Sequence, residues 1–171
     1  MAKTPKKKPA NRRKVFEPFD YSPGDIPRIR YMVSVDMSAA VRLDRLCFGA
    51  DSWVEEDFKN IERNKNVISM AATHNNHLLG YMIYELSKNR ITVLRLCVLP
   101  DHQRKKVGTR LIERLKEKLN IQGRKQLVVD VPDSHLPLQI FLKKLGFRAT
   151  DILKRDGKEY YRMLYCGRHK K

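Results

Sequence analysis

The 171-residue chain predicts a single α/β domain, a mixed central β-sheet flanked by helices in the order β-α-α-β-β-β-α-β-α-β-β. Three observations carry that prediction. Short runs of β-branched and aliphatic residues alternate with stretches whose apolar residues recur every three to four positions. The breaks between them hold Gly, Pro, Asn and Asp. Hydrophobic residues make up 42% of the chain, enough for one proper core at this length. No internal repeat is visible. No apolar run reaches membrane-spanning length and no signal peptide is apparent, so a cytoplasmic protein without a membrane partner is expected.

The elements follow in order. Residues 29–33 read as a first strand. Asp36 is placed to cap a helix through Ala39, Val41, Leu43 and Leu46 to Cys47. Ser52-Trp53-Val54-Glu55 reads as a capping box opening a second helix through Phe58 and Ile61. Residues 67–73 and 78–86 are strands joined at His74-Asn75-Asn76-His77, a hairpin turn. A turn at residues 87–90 leads into a strand over 91–99, which Pro100 ends. Val107, Leu111, Ile112, Leu115 and Leu119 make one apolar helical stripe, with Gly123 just past the helix end. Residues 126–131 form a buried strand. Ser134 or His135 then caps a helix carrying Pro137 in its first turn, running through Leu138, Ile140, Phe141, Leu142 and Leu145 to Gly146. A strand to about residue 153 turns at Asp156-Gly157 into a last strand over 158–165.

The most informative stretch runs from Val93 to Ile112. An apolar strand feeds a short cationic loop, Gln103-Arg104-Lys105-Lys106, and then a helix. That order aims free backbone N–H groups, a helix dipole and positive side chains at one spot, which suits a pyrophosphate. It is not a Walker loop, since Gly-Lys-Ser/Thr is absent, and Gly108 alone does not make a dinucleotide fingerprint. On the loop alone, a basic turn on a nucleic-acid-binding surface fits equally well.

Two motifs bring a resemblance. Gln103-x-x-Lys106-x-Gly108-Thr109, approached by Cys97-Val98-Leu99-Pro100-Asp101, resembles the acetyl-CoA pyrophosphate loop of the GNAT superfamily of N-acetyltransferases, Gln/Arg-x-x-Gly-x-Gly/Ala. Lys106 stands where the first glycine usually sits, a substitution that costs about 1 kcal/mol if the backbone stays left-handed. Leu145-Gly146-Phe147 is similar to the end of the family's Asn-x-x-Ala-x-x-Leu-Tyr-x-x-x-Gly-Phe pattern, with His135 at the asparagine and Leu142 at the tyrosine. The resemblance covers about residues 27–166 and is closest to the branch that acetylates ribosomal-protein N-termini. It implies a GNAT fold and transfer of acetyl from acetyl-CoA to a primary amine, a protein N-terminus or lysine, with a small amine as an alternative.

It also implies a site. The backbone near Leu96 and Val98 would hold the pantetheine arm, and the amides from Gln103 through Arg104, Lys105, Lys106, Val107 and Gly108 to Thr109 the pyrophosphate. Asp130 aligns with the glutamate proposed as base in the ribosomal-protein branch, and flanking valines would raise its pKa by partial burial. Leu142 cannot donate a proton, so Tyr160, Tyr161, Tyr165, His135 or a water is left to serve as acid. His135 and Tyr161 also read as a helix cap and a packed strand residue. The helix pair spanning 36–63 borders the acceptor groove in this family, so Trp53 and Glu55 are candidates for shaping it. The remaining histidines, His74, His77 and His102, carry no metal-ligand spacing, and no metal is expected.

Charge and cysteines complete the reading. The net charge is +17, from 36 Lys and Arg against 19 Asp and Glu. Ten of those positive charges lie at the two ends: Lys3, Lys6, Lys7, Lys8, Arg12, Arg13 and Lys14, then Arg168, Lys170 and Lys171. The rest of the chain keeps +7. Residues 1–26 are therefore expected to be a basic, unstructured tail and linker, 27–166 the acetyltransferase domain, and 167–171 a second basic tail. The tails suit a solubilising role or an electrostatic anchor to RNA, the ribosome or DNA. A nucleic-acid- or ribosome-binding module with weak catalysis is the alternative from another class. Three widely spaced cysteines, Cys47, Cys97 and Cys166, argue against a disulfide framework and for a reducing compartment.

Overall fold

The computed structural model describes residues 21, 22, 24–121 and 123–167; the two terminal cation runs lie outside them. Among the described residues, seven strands and four α-helices follow one another as the sequence predicts. They are β1 (Arg28–Tyr31), α1 (Met37–Phe48), α2 (Glu55–Glu62), β2 (Val67–His74), β3 (His77–Leu86), β4 (Arg90–Val98), α3 (Val107–Ile121), β5 (Gln126–Pro132), α4 (Leu136–Lys144), β6 (Arg148–Arg155) and β7 (Lys158–Cys166). Single 3-10 turns at Ser34–Asp36, Gly49–Asp51 and Pro100–His102 punctuate the loops. The strands form one sheet in the order β1-β2-β3-β4-β5-β7-β6, antiparallel except where β4 runs parallel to β5.

Two cores form on opposite faces. The five stripe residues of α3 are all buried, and they pack with Leu142, Phe147, Met70, Met82 and Tyr84 on one face. Ala40 and Leu43 of α1 and Phe58 of α2 pack with Ala71, Tyr81, Ile83 and Cys97 on the other. The β2–β3 and β6–β7 turns each use two residues of positive φ, Asn75 (47°) with Asn76 (65°) and Asp156 (47°) with Gly157 (73°), the pattern whose twist matches the flanking strands.

Several local expectations are corrected. Asp36 precedes α1 but does not cap it with its side chain; its carboxylate instead takes Arg30 and the Val33 N–H. No full capping box forms at Ser52: Val54 takes the N-cap position, and Asp57 Oδ2 accepts the Val54 N–H at 2.9 Å, which is half of such a box. Ordered structure reaches back before residue 27: Tyr21 is 4% exposed and belongs to the α3-side core. Cys47 of α1 and Cys97 of β4 meet as a disulfide with Cα atoms 6.4 Å apart, while Cys166 is a free, exposed thiol. Fifty residues separate the pair, so only the packing of α1 on β4 brings them together.

Candidate active site

A split between two strands makes the site. β4 and β5 pair only over Arg90–Val93 against Gln126–Val129, and then part. The cause lies in β4. Ile83 faces Arg95 and Tyr84 faces Val93, so Leu94 is an extra residue, a β-bulge. A bulge bends and over-twists its strand, and here it carries residues 95–98 away from β5. Beyond the bulge, the Leu99 N–H donates to the Leu79 carbonyl at 2.8 Å. Backbone groups alternate along an antiparallel ladder, so Cys97 and Leu99 address β3 while Leu96 and Val98 address the split. Gly80 lets β3 approach this closely: a Cβ there would stand 2.7 Å from the Cys97 carbonyl oxygen.

The basic loop lies at the end of the split. Gln103 Nε2 donates to the Val98 carbonyl at 3.2 Å and pins the loop to the strand end. Arg104 and Lys106 both adopt positive φ, 63° and 64°. The left-handed turn that the family assigns to glycine is therefore kept at Lys106 despite its Cβ, at about 1 kcal/mol of strain. α3 begins at once, its first helical bond running from the Arg110 N–H to the Lys106 carbonyl at 2.9 Å. The N–H groups of Lys106, Val107, Gly108 and Thr109 thus have no partner within the helix and carry the positive end of its dipole. A Cβ on Gly108 would lie 3.3 Å from Phe141 Cζ, so glycine lets the first turn of α3 sit against α4.

The loop's cations divide. The side chains of Arg104 and Lys106 are exposed, whereas Lys105 turns back and its Nζ donates to the Tyr21 carbonyl at 3.5 Å. The Tyr21 hydroxyl donates to the Asp25 carbonyl at 3.0 Å and reaches the Lys105 carbonyl at 3.4 Å. Its ring packs on His74 at 5.2 Å and His102 at 5.6 Å, and His74 also pairs with Asp25 at 3.8 Å. Burial, with Lys105 nearby, pushes the His102 pKa down and keeps the ring neutral. Sequence reasoning missed this strut beneath the loop, having assigned Tyr21 to the tail; an aromatic residue just ahead of Gly24 and Asp25 was the available signal.

Asp130 is the first residue of β5 past the paired stretch. Val129 and Val131 point into the α3-side core, so alternation turns Asp130 to the other face. There Arg162, its cross-strand neighbour, grips both carboxylate oxygens (Nε to Oδ1 2.9 Å, Nη2 to Oδ2 3.1 Å), and Arg155 Nη2 reaches Oδ2 at 2.5 Å. Burial pushes the Asp130 pKa up, but the two guanidiniums outweigh it and hold the pKa below the usual carboxylate range. The expected rise is therefore corrected: the valines gave no hint of two arginines arriving from β6 and β7.

The other acid candidates also sort by face. His135 Nδ1 accepts the Leu138 N–H at 3.2 Å and so caps α4. Leu142 is fully buried, and Tyr161 and Tyr165 pack against the α3-side core. Tyr160 alternates to the face of Asp130 and lies under the Arg155 guanidinium at 5.7 Å. That face is bordered by the loop between α1 and α2, which carries Trp53, and by the β6–β7 hairpin. Lys158 Nζ and Asp51 Oδ2 approach to 3.8 Å between these two walls. Glu55, by contrast, pairs with Lys59 along α2.

Comparison with known proteins agrees with this geometry. The ribosomal protein bS18-alanine N-acetyltransferase of Escherichia coli K12 is 24% identical over 136 residues, covering 77% of this chain and 90% of that protein. The crystal structure of the Escherichia coli enzyme superposes with a TM-score of 0.73 at 22% identity, over 82% of this chain and 94% of the other. The PaiA N-acetyltransferase of Thermoplasma acidophilum, solved in complex with coenzyme A, gives a TM-score of 0.69 at 17% identity, over 83% and 99%. A family model described as an acetyltransferase (GNAT) domain matches residues 45–164. With the split sheet, the pyrophosphate-type loop and that match over most of its length, the chain belongs to the GNAT family of acetyl-CoA-dependent acetyltransferases.

Proposed function

We propose that this acetyltransferase acts on a protein N-terminal amine, with a ribosomal protein as the first acceptor to test. The observation that carries the reading is the split itself, which leaves the backbone of Leu96 and Val98 and the amides of Lys106 to Thr109 placed to receive one extended ligand. The curated relatives, named for the alanine of ribosomal protein bS18, support the acceptor class. Lysine side chains and small amines are the acceptors next in line. We place the reaction in the cytoplasm, where a reducing environment would open the Cys47–Cys97 bond to two thiols.

The chemistry needs no covalent enzyme intermediate. A neutral amine attacks the thioester carbonyl carbon, a C–N bond forms, the C–S bond breaks, and the thiolate of CoA takes up a proton as the amine loses one. The helix dipole at Val107 to Thr109 favours the anionic CoA phosphates. Arg104 and Lys106 add charge that steers them. A base works best with a pKa near the working pH. Asp130 lies well below it, so we assign to Asp130 the anchoring of Arg155 and Arg162 and leave the amine proton to water in the open cleft.

The test is acetyl transfer to three peptides: one with a free N-terminal alanine, one blocked at the N-terminus with an internal lysine, and one blocked without lysine. One free thiol released per acetyl group found on the α-amine supports the reading. Acetylation of lysine alone would move the acceptor class, and no transfer to any peptide would overturn the proposal. The charge of +17 supports a second role, RNA or ribosome association through the basic ends. Deletion of residues 2–14 should then flatten the salt dependence of RNA binding and spare coenzyme A binding.

A further inference from the structure

We infer that Arg95 is a positioning residue for the acceptor, latching the loop between α1 and α2 onto the strand that holds the acetyl donor. The inference rests on the acceptor reading above, but its test does not. Arg95 follows the bulge at Leu94 and directly precedes Leu96, whose backbone faces the split. Its guanidinium grips Asp44 of α1 through two bonds, Nε to Oδ1 at 2.9 Å and Nη2 to Oδ2 at 2.8 Å. Asp44 is wholly buried and also receives the Tyr81 hydroxyl and the Trp53 N–H. The same guanidinium donates to the Asp51 carbonyl at 2.8 Å and lies over two rings, Phe48 at 3.6 Å and Trp53 at 4.7 Å.

One side chain therefore holds the start, middle and end of the loop: Phe48, Asp51 and Trp53. Cohesion alone would be served as well by apolar side chains, since desolvating a buried ion pair cancels much of its attraction. What the planar fork of arginine adds is a single geometry, with bonds and stacking faces in fixed directions. The loop it fixes is the wall of the acceptor face, and the strand it is fixed to is the donor's. Arg95 thereby holds the acceptor wall against β4.

Trp53 is the single tryptophan of the chain, so its fluorescence reads the loop without any ligand. Arg95→Met should raise acrylamide quenching of Trp53 at least twofold, and Arg95→Lys, which keeps a cation beside Asp44 and guards against misfolding, should fall between it and the native chain. With the alanine-initiated peptide, the acceptor KM should rise at least tenfold in Arg95→Met, with kcat within threefold and acetyl-CoA affinity within twofold. Unchanged quenching in folded Arg95→Lys would overturn the latch, as would loss of acetyl-CoA affinity with the acceptor KM untouched. Should the chain transfer acetyl to none of the peptides, the quenching result still decides the latch.

Discussion

The two halves of the sheet are built on different terms. β2 and β3 are covered on both faces, with Ala71, Tyr81 and Ile83 under α1 and α2, and Met70, Met82 and Tyr84 under α3. β5 and β7 pack on α3 and α4 through one face; their other face buries Val128 but then carries the polar Asp130, Arg162 and Tyr160, and the outer strand β6 is exposed at almost every position. The closed half fixes β4 and its bulge by packing. The open half leaves room for an acceptor and holds its polar groups by ion pairs that water can reach. The boundary between the two is the split between β4 and β5.

Stability should divide along that boundary. Asp44→Ala strands Arg95 in the closed half and should cost about 3–5 kcal/mol in denaturant unfolding. Leu115→Ala, at a fully buried position, should cost about 2–5 kcal/mol. Asp130→Asn, whose partners Arg155 and Arg162 are 52% and 28% exposed, should cost only about 1 kcal/mol. Equal losses at Asp44 and Asp130 would break the comparison.

Chemistry sharpens it next. Asp130→Asn should lower turnover by less than about tenfold, where removal of a general base brings roughly 10²–10⁴. The rise of kcat/KM with pH should follow the acceptor's own amine, near 7.7–8.0 for an N-terminus. A rise centred near the carboxylate range would restore Asp130 as base. Because its native pKa is depressed, Asp130 stabilises the fold fully above the ordinary value of 3.8, and that contribution fades as pH falls below it. Native and Asp130→Asn proteins should therefore converge in stability on acidification. The smallest effect is expected at the loop: Lys106→Gly relieves left-handed strain of about 1 kcal/mol, offset in part by the greater freedom of glycine in the unfolded chain, so unfolding should shift upward by less than that.

Most of the fold could be read locally. The α3 stripe, the turns at Asn75-Asn76 and Asp156-Gly157, and the helix stop at Gly146 each announce themselves within a few residues. The basic loop was legible for the same reason, since strand, cations and helix start are contiguous. What escaped depends on residues far apart in the chain. Tyr21 meets Lys105, Cys47 meets Cys97, Asp44 meets Arg95, and Asp130 meets Arg155 and Arg162 only once the sheet has formed. The bulge at Leu94 also escaped, because an extra residue shows only against the register of its partner strand.

The central claim is that the split and its loop form an acetyl-CoA site rather than a general anion patch. Thermal unfolding with acetyl-CoA, with CoA and with ATP, at about physiological salt, tests it most directly. At one hundred times Kd a ligand adds about 2.7 kcal/mol. The account predicts a clear rise in Tm with acetyl-CoA and CoA and little with ATP. Equal rises with all three, or none, would contradict it.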